Sequence, residues 1–551
     1  MKKTFIIAFA MFLGTATFAQ KEAVSESYDR SAITMYLLDY DANKYQRQTV
    51  DEFQIVKMQE KFDDNELSTR ILDVRSSLGA TVNHEAKIKA IIEKIAKDKL
   101  VNQVIAKWFD RKEDGTMGVK TIQERGLYNA DDQDVITAGN TKRGMAAVMD
   151  MGMTLINKSY FHIVDFADIK SHTDLGLDPV KERHGWQAIV NGYLFKINLD
   201  DATMNTLYED MWIYDEDDEA TRKAKKEKFD NYEFQIVPIA TVTAPALMQM
   251  QAGPESSLGK FIPQKSDEQL FKELMQKGYD RTVFLLENKV PDLRVRVNLF
   301  NDRPLEAKIG KKEALKRDQR FFIYEYIYNE ETKGTDQSRK GVVRAKKVVD
   351  NRQVATGTSP MSKFYQIHGG NLEKGMLMEQ KNDRGIGVQG RFHIGEIGGA
   401  GAKVTWNPNP MLNILPVSQL KVYGMVATQS KEYTGTDYSF MRLGGGITKG
   451  WYFARMFNFE LGAGYVMESA TVANVDGSIN VAWLTFGGEV GVNALHWLRL
   501  FAGADFHAPM TNATDADGAE YHNVDGTTAA YTDFFENRTG LSINLGLSIE
   551  F

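Results

Sequence analysis

The sequence predicts a multidomain protein, an α+β region followed by a C-terminal antiparallel transmembrane β-barrel of about eight strands. Three observations predict it. The chain has 551 residues with 43% hydrophobic and 26% charged, a folded-protein composition too long for one ordinary core. Helical and mixed patterns fill the part up to about residue 380. The chain then ends on GLSINLGLSIEF, in which Leu541, Ile543, Leu545, Leu547, Ile549 and Phe551 share one parity and Ser542, Asn544, Gly546, Ser548 and Glu550 the other.

The first element, residues 1–19, reads as a secretory signal peptide. Lys2 and Lys3 form a basic start, TFIIAFAMFLG is apolar but too short to span a bilayer, and Thr17 and Ala19 place cleavage before Gln20. The absence of Cys excludes disulfides, thiolate metal sites, thiol nucleophiles and a lipidated cysteine. A net charge of −7 gives no reason to expect a nucleic-acid partner.

Residues 20–139 read as a helix-rich region. ITMYLLDY predicts a strand, and 84–109 predicts an amphipathic helix through Ile88, Ile91, Ile92, Ile95, Leu100, Val104 and Ile105. A Met-rich helix is expected over 141–159. Residues 140–300 read as an α+β domain. YFHIVDFADI, GWQAIVNGYLFKINL and EFQIVPIATVTA predict strands, and helices are expected near 202–212, over 215–228 and from the capping signal at Ser266. Residues 301–380 read as a small all-β module. It carries Lys308, Lys311, Lys312, Lys316, Arg317, Lys340, Arg344, Lys346 and Lys347, which suit solvated strand faces or an anionic surface.

Residues 381–551 carry the barrel pattern. Alternating segments at 384–394, 401–407, 419–428, 439–449, 457–467, 482–492, 498–507 and 540–551 approach the roughly 9–11 residues that a tilted spanning strand needs. The connection over about 508–538 is long and polar, and NALH is short. One parity places Arg391, Lys403, Lys421, Arg442, Glu460, Glu468, Glu489, Arg499, Asp505 and Glu550 in the lumen. An interior this narrow is filled by side chains, and charges survive there only when paired, so a salt-bridged plug is expected. Trp406, Tyr438, Trp451, Tyr452, Phe453 and Trp497 are expected in interfacial girdles.

On these residues, 384–551 resembles the small Gram-negative outer-membrane barrels of the OmpA/OmpX type. The resemblance implies that Phe551 is read as an assembly signal by the barrel-assembly machinery, that outer-membrane lipid surrounds the barrel, and that the residues ahead of 380 lie in the periplasm. The region before the barrel is matched to no family.

GIGVQG (385–390) matches the dinucleotide fingerprint in letters, but it lies inside a strand with no helix after it. Asp515, Asp517, Glu520 and Asp525 are a calcium candidate without the full EF-hand spacing. HIVDFAD puts His162 and Asp168 on one strand face and Asp165 on the other, the only hint of a hydrolytic cluster. The expectation is therefore non-enzymatic and without cofactor: an anchor whose periplasmic domains dock a protein partner or peptidoglycan. The alternatives are an adhesin or receptor acting through 508–538, and an envelope hydrolase sited in 140–300.

Overall fold

The computed structural model describes residues 31–551 except 43, 66, 79–82, 123–155, 330–333 and 354–359. The segment expected to be a signal peptide and most of the Met-rich helix expected over 141–159 lie outside the described residues.

The apolar run of β1 (Ala32–Asp39) is buried along its whole length, as a strand covered on both faces must be. It pairs in parallel with β2 (Asp63–Asp64), β3 (Ile71–Asp73) and β4 (Ser159–Ser171). β4, β5 (Arg183–Ile197) and β6 (Ile236–Ala252) continue the sheet as antiparallel neighbours. Helix α1 (Gln46–Phe53) covers one face. On the opposite face lie α2 (His84–Lys97), α3 (Leu100–Trp108), α4 (Asp201–Asp210) and α5 (Glu219–Asn231). Helix α6 (Asp267–Lys289) shares the α1 face and is opened by a Ser266–Gln269 capping box. Close seating of α6 needs Gly278, because a Cβ there would come within 2.5 Å of the Phe166 ring.

Two expectations change here. The boundary between 20–139 and 140–300 does not separate two cores. β1 belongs to the same sheet as β4, and both faces of that sheet draw on residues from either side of the expected boundary. Parallel partners so distant in sequence leave no local trace. The single helix expected over 84–109 breaks at Lys99, which adopts φ 51°, so α2 and α3 bend against the sheet.

A second sheet follows, formed by β7 (Arg296–Asn298), β8 (Asn301–Asp302), β9 (Leu305–Ala307), β10 (Arg320–Asn329), β11 (Gly334–Lys347), β12 (Ser362–Gly369) and β13 (Leu377–Lys381). Their order is β7-β13-β10-β11-β12-β9-β8, around a core that includes Phe321, Ile323, Val343, Phe364 and Met378.

The remaining strands are β14 (Ile386–Ile394), β15 (Gly399–Trp406), β16 (Leu420–Tyr433), β17 (Thr436–Phe453), β18 (Phe457–Val472), β19 (Ile479–Leu495), β20 (Leu498–Pro509) and β21 (Gly540–Glu550). They form a closed antiparallel barrel in chain order, sealed by the β14–β21 pairing. The apolar parity faces out: Phe392, Leu443, Ile447, Phe486, Leu500 and Leu541 are each about half exposed or more. Among the described residues no helix is long and apolar enough to cross a membrane. Connections 395–398, 434–435, 473–478 and 510–539 leave one end, called the far end. Connections 407–419, 454–456 and 496–497 leave the near end, where the C-terminal residue also lies and the second sheet abuts.

Candidate functional site: the barrel lumen and its two seals

Strand alternation sends every second side chain inward, so the polar parity of eight strands meets in one enclosed space. All ten acidic and basic residues assigned to the lumen by parity lie there, and they are interleaved by sign. Glu489 pairs with Arg391, with Lys403 at 3.5 Å and with Arg499 at 3.5 Å. Glu460 takes Lys421 and Arg499, both at 2.8 Å. Asp505 lies 3.9 Å from Arg391 and accepts a hydrogen bond from the Asn544 amide at 2.8 Å. Gly503 leaves the space this needs, since a Cβ there would come within 2.9 Å of Glu489. The gap left among Arg391, His393, Lys403, Glu489, Asp505 and His507 is a cavity of about 20 Å³, room for roughly one water.

The far end is closed by aromatic packing over a buried ion pair. The connection 510–539 carries the short helix α8 (Tyr531–Phe534, preceded in chain order by α7, Asn409–Leu412) back over the mouth. Tyr531 and Phe535 pack with Tyr433, Phe440 and Trp483. Beneath them, Arg538 donates to both Glu468 oxygens at 2.8 and 2.6 Å, and its guanidinium lies 3.5 Å from the Phe440 ring centre. Arg442 approaches the same carboxylate at 3.8 Å. Arg538 was not among the expected lumen residues. It sits in a connection rather than a strand, so parity gives no signal for it.

The near end is closed by the second sheet. Arg344 on β11, expected on a solvated basic face, is buried, ion-paired to Asp383 and 3.5 Å from Glu550. Glu550 also lies 3.8 Å from Lys421, so a chain of alternating charges runs from the lumen into the second sheet. Asp318 is fully buried and accepts from Tyr365 Oη at 2.9 Å, Asn407 Nδ2 at 2.9 Å, Asn409 Nδ2 at 3.4 Å and the Gln419 amide at 2.7 Å. Burial, then the Asp318 charge, holds the Tyr365 phenol well above its usual range, so it stays a donor. Tyr365 in turn stacks on Tyr452 at 5.5 Å.

Tyr452 therefore faces inward and is not part of a girdle, and Tyr438 packs into the far-end cluster with Phe535. Trp406, Trp451, Phe453 and Trp497 do face outward. Phe551 lies exposed at the near rim, its amide bonded to the Ile386 carbonyl at 2.9 Å.

The other candidates separate. A bulge after Phe166 moves Asp168 off the His162 face: Phe166 and Ile169 both reach the α6-side core, and Asp168 instead pairs with Lys170 at 3.1 Å. His162 is fully buried beside Tyr279, and burial lowers its pKa to about 3. Asp165 is held on the opposite face by Lys87 at 2.8 Å, Tyr40 at 3.0 Å and Asn191 at 2.9 Å. The three expected members of a hydrolytic cluster do not converge. Of the calcium candidates, Asp515 accepts from the amides of Asp517 and Ala519 and Asp525 from Thr527, each within its own turn, while Asn512 Nδ2 lies 3.4 Å from Glu520. Among the described residues no group of three or more His, Asp or Glu is placed to hold a metal ion.

No protein-family model matches the chain, and no curated protein matches it. Among solved structures, the crystal structure of Neisserial surface protein A matches at 14% identity with a TM-score of 0.19, covering 31% of this chain and 100% of that one.

Proposed function

We propose that the protein is a non-enzymatic outer-membrane anchor that holds its two-sheet body on the periplasmic side, where the body docks a protein of the envelope or peptidoglycan. The observation that carries this reading is the near-end junction. Asp318, Arg344 and Asp383 fix the body to a barrel whose lumen is filled by ion pairs. A filled barrel offers no passage, and a buried polar junction with several matched partners resists rotation of the body. The outward apolar parity fits a lipid surround.

The chain has no Cys, so single labels are clean. Thr527 at the far-end tip and Lys223 on α5 are both exposed. With Thr527→Cys and Lys223→Cys in separate full-length variants, a membrane-impermeant maleimide on intact cells should label the first, and the second only after lysis. Labelling of the second on intact cells would overturn the periplasmic anchor and favour a surface adhesin or surface enzyme.

A further inference from the structure

The connection 407–419 is the longest at the near end, and its composition is unlike the others. NPNPMLNILPVSQ exposes Met411, Leu412, Ile414 and Val417 at 48%, 53%, 63% and 44%. The other long connection, 510–539, is largely polar and folds its aromatic side chains onto the far mouth, leaving Met510 and Val524 as isolated exposed apolar residues. An exposed apolar run in water needs a reason.

The backbone of this loop is partly paired within the protein. Lys316 donates to the Met411 carbonyl at 2.7 Å, Arg317 to the Leu415 carbonyl at 2.9 Å, and Asn409 to the Val417 carbonyl at 2.9 Å. The Leu415 amide is taken by Asn409 at 2.8 Å. Such pairing lowers the cost of holding irregular backbone against a bilayer, and the remaining amides call for headgroup depth, where water reaches them, rather than the hydrocarbon centre. The loop also continues directly from the barrel's outward surface: Trp406 precedes it, and Trp451 and Phe453 face out at the same end.

Around it stand cations that make no direct ion pair. Among the described residues no ion pair engages Lys316, Arg317, Lys346 or Lys449. Lys449 donates to the Ser418 carbonyl at 2.5 Å and lies 4.9 Å from the Trp451 ring centre, and Lys346 is near enough for its charge to act on Lys449. Apolar side chains flanked by aromatic rings and by cations without a direct ion pair match the acyl–headgroup boundary of an anionic leaflet.

We infer that residues 407–419 form a membrane-embedded collar at the near end: Met411, Leu412, Ile414 and Val417 enter the leaflet, and Lys316, Arg317, Lys346 and Lys449 attract anionic phospholipid headgroups. The inference rests on the membrane-barrel reading above. It adds a second contact between the body and the bilayer, which would fix the body's tilt as well as its attachment.

The test uses full-length protein in lipid nanodiscs, with an environment-sensitive fluorophore on Ile414→Cys, on Leu443→Cys in the outward band, and on Thr527→Cys. Nitroxide-labelled lipids serve as quenchers. The 414 label should lose most of its emission to a headgroup nitroxide and less to a mid-chain one, the 443 label should show the reverse order, and the 527 label should respond to neither. Quenching at 414 should strengthen as phosphatidylglycerol replaces phosphatidylcholine, and a Lys346→Gln/Lys449→Gln variant should weaken that dependence. Quenching at 443 with none at 414 would overturn the collar and leave the barrel standing. Absence of quenching at 443 would overturn the barrel itself. A 414 label shielded from water in detergent yet unquenched in nanodiscs would mean a protein covers the loop, which also overturns the inference. Quenching at 414 that ignores lipid charge in both backgrounds would overturn the role given to the cations.

Discussion

Glu468 and Arg538 show what a single buried charge demands. Both side chains are fully buried, and Glu468 faces two guanidiniums, Arg538 and Arg442. Removing one member of such a group leaves a charge stranded, which costs about 3–5 kcal/mol. Glu468→Ala should lower barrel stability by that order, read as a fall in the temperature at which the detergent-solubilised barrel unfolds and changes gel mobility. Arg538→Met should cost less, because Arg442 still compensates Glu468 and the Met stem still covers Phe440. His162 gives a pH prediction of opposite origin. Its pKa falls from 6.5 to about 3 through burial alone. Below about pH 6.5 the unfolded chain takes up a proton that the folded one refuses, so stability falls as pH drops from there toward about 3. Between about pH 7 and about pH 5 this group should remove about 2 kcal/mol from the α/β body. His162→Leu should recover that share in urea titrations of the full chain in detergent; equal pH slopes in the two proteins would refute it.

At the scale of elements, strand parity was legible because a period of two leaves a mark on every residue. It separated Arg391, Lys421 and Glu489 from Phe392, Val422 and Val490 without any structure. What parity does not register are residues in connections. Arg538, Asp318 and Asn409 act through loops and turns, and Arg344 sits in a strand whose sequence resembles a solvated basic edge. The break at Lys99 was hidden because its left-handed backbone is adopted by a lysine, where sequence reading looks for Gly or Asn. The Ala167 bulge that parts His162 from Asp168 was hidden for a different reason: one inserted residue inverts the parity after it without changing the sequence pattern before it. Asp318 makes this scale testable. Asp318→Ala would leave the Asn407, Asn409, Gln419 and Tyr365 donors without their shared acceptor, at about 1–3 kcal/mol for each that stays buried and dry. Hydrogen exchange should accelerate at 407–419 and in β12 while the barrel ladder stays protected. Unchanged exchange there would mean that the junction is held elsewhere.

For the whole molecule, the order of sheets along the chain bears on how the barrel is closed. The body ends in Asp383, only a few residues before β14, and Arg344 bridges Asp383 to Glu550 on β21, the strand that completes the barrel. The first and last barrel strands are thus joined twice, by their own ladder and through the body. The ion pairs at the waist, Arg391–Glu489 and Lys421–Glu460, lie between this junction and the far-end aromatic cap, and Lys421 joins them to the junction through Glu550. Three successive obstructions predict a barrel that does not conduct. In planar bilayers the full-length protein should show no channel steps. A variant lacking the far-end tip, residues 515–528, should stay silent, because the waist and the Arg538–Glu468 pair remain. Steady conductance in the wild type would remove the physical basis for reading the barrel as an anchor. Conductance only after removal of the tip would move the seal from the charged waist to the far-end loop, and would make that loop a gate.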